Sequence, residues 1–371
     1  MSFEKHPNLK IIYDYYQRRY RSGSLAMWHA FGVASIHIKS NEKDKHNPIL
    51  SSLVIADAGS FKSQIMSCTK KTFDSYIWSV PDQPTDRAIV REFKKNPTLL
   101  NDRVFFIDDV ANAFPTLEST REQRLVGLFT KGIMEGEYAY ADFSSTEYMK
   151  ARFGLYANVA QETFGKIRDM LEANTFLERI VPFNYMLSDA EVKEVCKEYR
   201  HGHNYGPQPK IKIKGSLATK KVIEAPEEFD AEFEHVINMF KDFCGLSIPR
   251  ADMWATCIMK SIAILEGRDK IIKEDFDLFG KYILPSISMD TRIKPVERAV
   301  MTLLRINKNA NVQDCYEFFK SETFLMDFPY DLNGFTSIPY NEMKYNFERA
   351  KKYVDKENIS MKSVGVEINV V

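Results

Sequence analysis

Neither sign of charge prevails in this chain, where 51 Lys and Arg face 51 Asp and Glu across 371 residues. The global positive field that advertises a nucleic-acid binder is therefore missing, and any contact with phosphate backbones has to come from local patches. Cysteine is sparse as well. Cys68, Cys196, Cys244, Cys257 and Cys315 lie far apart and form no CxxC pair, so neither a zinc ribbon nor a disulfide framework can be read, and a reduced intracellular setting fits. Long apolar runs are missing too: no stretch approaches the ~18 residues of a membrane span, and the opening MSFEKHPNLK has no apolar core of signal-peptide length. The expectation is a cytoplasmic protein with no membrane partner.

What is present has the makeup of a globular protein. With 44% hydrophobic and 27% charged residues, disordered and fibrous classes are excluded, and the length allows two or three domains. Residues 8 to 21 and 25 to 38 carry apolar side chains at helical spacing and predict a helical lead-in over 1–48. ILSSLVIA at 49–56 is a strand signal followed by a helical pattern, FKSQIMSCTKKTFDSYI, and further buried strands are expected at VFFI (104–107) and FGLYANV (153–159). That succession predicts an α/β core over 49–200. YAYADFSSTEYMKAR alternates like a hairpin, and HGHNYGPQPKIKIKGSLATKK breaks the pattern as a linker within 201–227. Helices return over 228–290. The remaining 291–371 shows three helical stretches and an alternating tail, VGVEINVV, which suits a winged helix.

ADAGSFKS at 56–63 sits directly between a strand and a helix. A phosphate cradle needs inward backbone N–H groups, a Lys that reaches the β and γ phosphates, and a hydroxyl for Mg²⁺. Gly59, Lys62 and Ser63 meet those needs. Two positions depart from GxxxxGK[ST]: Ala56 replaces the first Gly and Phe61 the second. Phe is not expected to adopt positive φ readily.

VFFIDD at 104–109 has the form of a strand that presents Mg²⁺-binding acid at its end. Asp108 would hold the ion through water, and Asp109 stands where a longer Glu would polarise an attacking water. Displacing that water by about 1 Å can cost on the order of 100-fold in rate. Asn158 follows the next strand, where it orients water or simply ends the strand. Arg179, in FLERIVPF, fits a finger that reaches a neighbour's nucleotide or a surface ion pair. Arg250 starts a helix, as a second phosphate sensor or as a solvated arginine.

In this order the pieces resemble the AAA+ superfamily, and within it the minichromosome maintenance (MCM) helicases, over roughly residues 49 to 284. ADAGSFKS is similar to the family's Walker A loop, VFFIDD to Walker B, LYANVA to the sensor 1 strand, FLERIVPF to the arginine-finger segment, and SIPRADMWATCIMKSIAILEGRDKIIKEDFDLF to the lid. The implied fold is an α/β P-loop AAA+ three-layer core with a helical lid and a C-terminal winged helix. The implied cofactors are ATP and Mg²⁺. ATP contacts are expected from Ala58, Gly59, Ser60, Phe61, Lys62, Ser63, Gln64, Asp108 and Arg250, metal contacts from Ser63 and Asp108, and catalytic roles for Asp109, Asn158 and Arg179. LFTKGIMEGEYAYADFSSTEYMKARFGLYANVA is similar to the pore hairpin region, which places Lys150 and Arg152 near DNA or leaves them a solvated basic edge. The family's N-terminal domain has no room in the first 48 residues.

The resemblance implies a homo-oligomeric, hexameric ring that acts in DNA replication. Lys344 and Lys351, with Arg349 and Lys352, would meet DNA if the winged helix uses its third helix as a reader; a protein contact is equally open. KIKIKGSLATKK suits phosphate contact or a solvated linker, and HGH at 201–203 reads as loop, since two His alone are weak metal ligands. Three readings follow: an ATPase that translocates or unwinds DNA, a nucleotide-dependent assembly or loading factor that binds DNA or replication proteins without unwinding, and a winged-helix DNA-binding protein whose AAA+ core is a relic without ATP affinity.

Overall fold

A computed structural model describes residues 3–39, 49–73, 76–80, 85–96, 101–110, 120–141, 146–150, 152–185, 187, 189–211, 213, 220–287, 297, 300–301, 303–304, 307–320 and 339–363. Two compact units emerge, Met1–Leu278 with Ile287–Met289, and Phe279–Ser286 with Asp290–Val371.

The first unit opens with α1 (Pro7–Tyr20) and α2 (Gly23–Ser35). Then come β1 (Ser52–Ala56), α3 (Lys62–Thr72), β2 (Ile77–Ser79), α4 (Asp86–Lys95) and β3 (Arg103–Ile107). After α5 (Thr120–Met134), β4 (Glu137–Ala141) and β5 (Thr146–Lys150) pair antiparallel, as the alternating sequence predicts. β6 (Phe153–Ala160), α6 (Gln161–Ala173), β7 (Val181–Tyr185) and α7 (Asp189–Arg200) follow. α8 (Asp230–Cys244), α9 (Ile248–Leu265) and α10 (Lys273–Tyr282), whose residues from Phe279 on count with the second unit, complete the run.

All five strands of the main sheet are parallel, in the order β2-β3-β6-β1-β7. Parallel strands buried on both faces read as continuous apolar runs, and β1, β6 and β7 are buried almost throughout. Right-handed crossovers put α3 on one face and α4, α5 and α6 on the other, because the chain steps across the sheet in opposite directions. The side chains agree. On β6, Phe153 meets α5, where a Cβ at Gly132 would come within 2.3 Å of its ring, while Tyr156 donates from its hydroxyl to the Trp28 carbonyl of α2 at 2.8 Å. The result is a three-layer α/β arrangement.

The lead-in is more deeply built into this core than its position suggests. Every residue of α2 except Ser24 is buried, and the helix lies between the sheet and α9. Its approach is close: a Cβ at Gly32 would sit 2.3 Å from the Tyr156 ring, so only glycine fits there. Trp28 is fully buried, stacks on Phe183 at 5.5 Å and donates to Ser52 Oγ at 2.7 Å. Burying an aromatic of this size contributes roughly 1.5–3 kcal/mol.

In the second unit, helical residues 300, 301, 303 and 304 pack with α11 (Val312–Lys320) and α12 (Tyr340–Ser363) around Phe319, Met343 and Phe347. Arg349 pairs with the fully buried Glu297 at 2.9 Å. The tail VGVEINVV, expected as the wing strand, lies outside the described residues. No helix among the described residues is long and apolar enough to cross a membrane.

Candidate phosphate-binding site

The loop 57–61 leaves the carboxyl end of β1 and delivers the chain to the first turn of α3. In open α/β sheets this edge is where ligands bind. Gly59 takes φ 80 and Phe61 takes φ 62 with ψ 14, so both flanks of Ser60 are left-handed. Backbone turns of this kind gather N–H groups into anion-binding concavities. The expectation that Phe61 avoids positive φ is thus reversed. A bulky residue there costs on the order of 1–3 kcal/mol, partly offset by its ring, which lies 6.2 Å from that of Tyr20; such pairs contribute about 0.5–1.5 kcal/mol.

Lys62 turns back over the loop and donates through Nζ to the carbonyls of Ala56 at 2.9 Å and Asp57 at 2.7 Å. Burial draws its ammonium below the usual lysine range, while Asp109, Asp57 and Asp108 oppose that shift in descending order. The loop lysine therefore lies in the field of the acid pair that follows β3. Ser63 and Gln64 are exposed on the first turn of α3, Ala58 is exposed beside Gly59, and Asp108 is exposed past β3. Hydroxyl and carboxylate oxygens are the hard donors that Mg²⁺ selects, so Ser63 and Asp108 fit that ion, which would neutralise phosphate charge.

Asn158 lies inside β6, opposite Val54 of β1, rather than after the strand. Its position separates the loop strand from the acid strand. Only 1% exposed, it donates from Nδ2 to Met66 Sδ at 3.6 Å, and its Oδ1 is buried with no hydrogen-bond partner among the described residues.

Arg179 and Arg250 occupy the other end of the sheet. Val181 pairs with Ser52 at the start of β1, whereas the loop leaves from Ala56, paired with Tyr185. β1 spans about 13 Å between those ends, so Arg179, two residues before β7, is beyond reach of a phosphate held by its own Lys62. Arg179 Nη1 donates to the Thr175 carbonyl at 2.7 Å and also to the Thr175 hydroxyl. Arg250 Nη1 donates to the Glu178 carbonyl at 3.1 Å and pairs with its carboxylate at 2.6 Å. Burial, and then the Arg250 charge, lower the Arg179 guanidinium's affinity for its proton.

The basic candidates divide. Arg152 pairs with Asp102 at 2.6 Å and donates to the carbonyls of Ile36 at 3.2 Å and Ser35 at 3.4 Å, which anchors the end of α2. Lys220, from the basic linker, joins Asp102 at 3.0 Å. Lys150 belongs to β5. Lys344, Lys351 and Lys352 are exposed on α12. Sequence reasoning passed over Tyr20, Asp57 and Asp102; Asp57 alone carried a local signal, as part of the loop.

These features define an α/β protein with a parallel five-stranded sheet and a candidate phosphate cradle at its carboxyl edge. No protein-family model matches the chain, and no curated protein matches its sequence.

Proposed function

We propose that the chain is an AAA+ ATPase of the MCM-like kind, with a helical lid over 228–290 and a winged helix after it, which binds ATP with Mg²⁺ and couples hydrolysis to movement along DNA or its unwinding. One observation carries this reading: the loop of Lys62 and the acids Asp108 and Asp109 leave strands that flank β6, so that lysine and acids share one edge with Asn158 between their strands. In this reading loop amides and Lys62 hold the triphosphate, Asp109 orients the attacking water and Asn158 fixes its neighbour. The remoteness of Arg179 from its own loop supports completion of the site by a second copy in a homo-oligomeric ring, hexameric in this proposal. Lys344 and Lys351 supply phosphate contacts on DNA.

Titration with ATP·Mg²⁺ tests the proposal. Lys62→Ala should weaken binding about 100-fold, the scale of removing a charged donor from a site organised around charge. Equal affinity in parent and variant, or no uptake by the parent, removes the nucleotide from the proposal.

A second reading, a nucleotide-dependent assembly or loading factor, draws on Arg152. Its engagement by Asp102 and the α2 carbonyls withdraws one expected DNA contact. ATP binding without DNA-stimulated turnover selects this alternative.

A further inference from the structure

Phe61 holds φ 62 in a loop where glycine would do so freely. Bulky L residues persist in this region only where the surroundings impose it. Beside Phe61 stands the last residue of α1: the rings of Tyr20 and Phe61 lie 6.2 Å apart with planes tilted by 38°. Tyr20 is itself fixed. It is buried, its hydroxyl lies 3.3 Å from Cys68 Sγ in α3, and the Arg19 guanidinium covers its ring at 5.2 Å. Arg19 reaches the Tyr205 ring as well, at 5.8 Å. A rigid aromatic wall thus stands behind the one loop residue whose backbone needs support.

Resting on the phosphate-loop reading above, we propose that Tyr20 is a positioning residue: through the Phe61 ring it holds the left-handed turn that aims the loop amides, and so the first helix of the chain sets nucleotide affinity. The pair replaces, by packing between two distant segments, what glycine supplies by lacking a side chain. Tyr20 itself touches no phosphate in this scheme, and its influence passes wholly through residue 61.

That dependence makes the test a double-mutant cycle. ATP·Mg²⁺ is titrated into the parent, Tyr20→Leu, Tyr20→Phe, Phe61→Gly and the Tyr20→Leu/Phe61→Gly double variant. Tyr20→Leu should weaken binding about fivefold, in line with the loss of one aromatic pair. Tyr20→Phe keeps the ring and should keep the affinity. In the Phe61→Gly background, Tyr20→Leu should have no further effect. An equal loss in both backgrounds, or a loss with Tyr20→Phe as large as with Tyr20→Leu, overturns the proposal, because Tyr20 would then act through general stability or through its hydroxyl. Amide hydrogen exchange at residues 59–63 of the nucleotide-free protein gives a readout that needs no ATP. Tyr20→Leu should accelerate it only while Phe61 is present, and unchanged exchange overturns the clamp. A parent that binds no ATP yet shows this exchange pattern retires the nucleotide reading and leaves the clamp standing.

Discussion

The two ends of the parallel sheet treat charge in opposite ways. At the amino end, Asp102 binds both Arg152 and Lys220, and Arg250 pairs with Glu178. At the carboxyl end, Lys62 bonds to backbone carbonyls, with no carboxylate at ion-pair distance among the described residues. Its own acids act on it from farther away. Charges that neutralise one another hold a fold together; a lysine poised over a loop and short of a direct counter-charge is suited to an incoming anion. The contrast separates the basic side chains better than their shared charge does: Arg152 ties Asp102 to the end of α2, whereas Lys62 is held by oxygens of its own loop.

Four substitutions probe that contrast, taken from the largest expected effect downward. Arg179→Ala should lower ATP turnover about 1,000-fold, the lower end of what arginine fingers supply, while ATP affinity persists; turnover assays on mixtures with the Lys62→Ala protein check it, since one variant keeps the finger and the other the loop, and mixing should restore activity. No recovery on mixing breaks the division of labour between edges. Asp102→Asn should cost about 2 kcal/mol of stability, less than a fully buried pair because its partners are partly solvated. Thermal unfolding reads that loss, and unchanged ATP affinity in the same protein keeps the Asp102 cluster purely architectural. Asp109→Glu lengthens the acid toward the attacking water and should raise turnover about tenfold; a fall instead shows that Asp109 has the right reach.

The last effect is nil at neutral pH and grows only on acidification. Burial lowers the pKa of His37, beside the Asp102 cluster, to about 4, with Asp102 opposing and Lys221, Arg152 and Lys220 reinforcing. An unfolded histidine titrates near 6.5. Below that pH the unfolded chain takes up a proton that the folded chain refuses until about pH 4. Stability is therefore full above pH 6.5 and falls as the solution is acidified toward 4, by about 1.4 kcal/mol per pH unit for this residue. His37→Phe should flatten that slope in denaturant titrations; an unaltered slope moves the acid sensitivity elsewhere, for instance to His29, lowered to about 3 by complete burial.

The strands β1, β3 and β6 were legible because a parallel strand covered on both faces is a continuous apolar run. β2 escaped, since the three residues Ile77–Ser79 follow directly on a helical pattern that the structure ends at Thr72. β7 escaped behind its proline and the attention drawn by Arg179. α2 was visible as a helix but not as a core element, because periodicity does not say what covers a face. In the site, Lys62 and Ser63 open α3 while Asp108 and Asp109 follow β3, so the spacing within each motif is local and readable. Arg152 was not readable: its partner Asp102 is 50 residues away and the Ile36 carbonyl 116 away. Nor was the conformation of Phe61, which depends on Tyr20 in another helix.

The strand order also governs how the chain can come together. The hydrogen bonds that tie the β1 region to its two neighbours span 104 and 129 residues. During synthesis, the apolar segment 52–56 must wait for most of the core to be made before either partner exists, and non-local pairing of this kind is slow and exposed to aggregation. α2, made just before β1, is at hand to cover it, through Trp28 and Ser52. The segment that looked like a preamble can thus shelter a nascent strand until its sheet arrives.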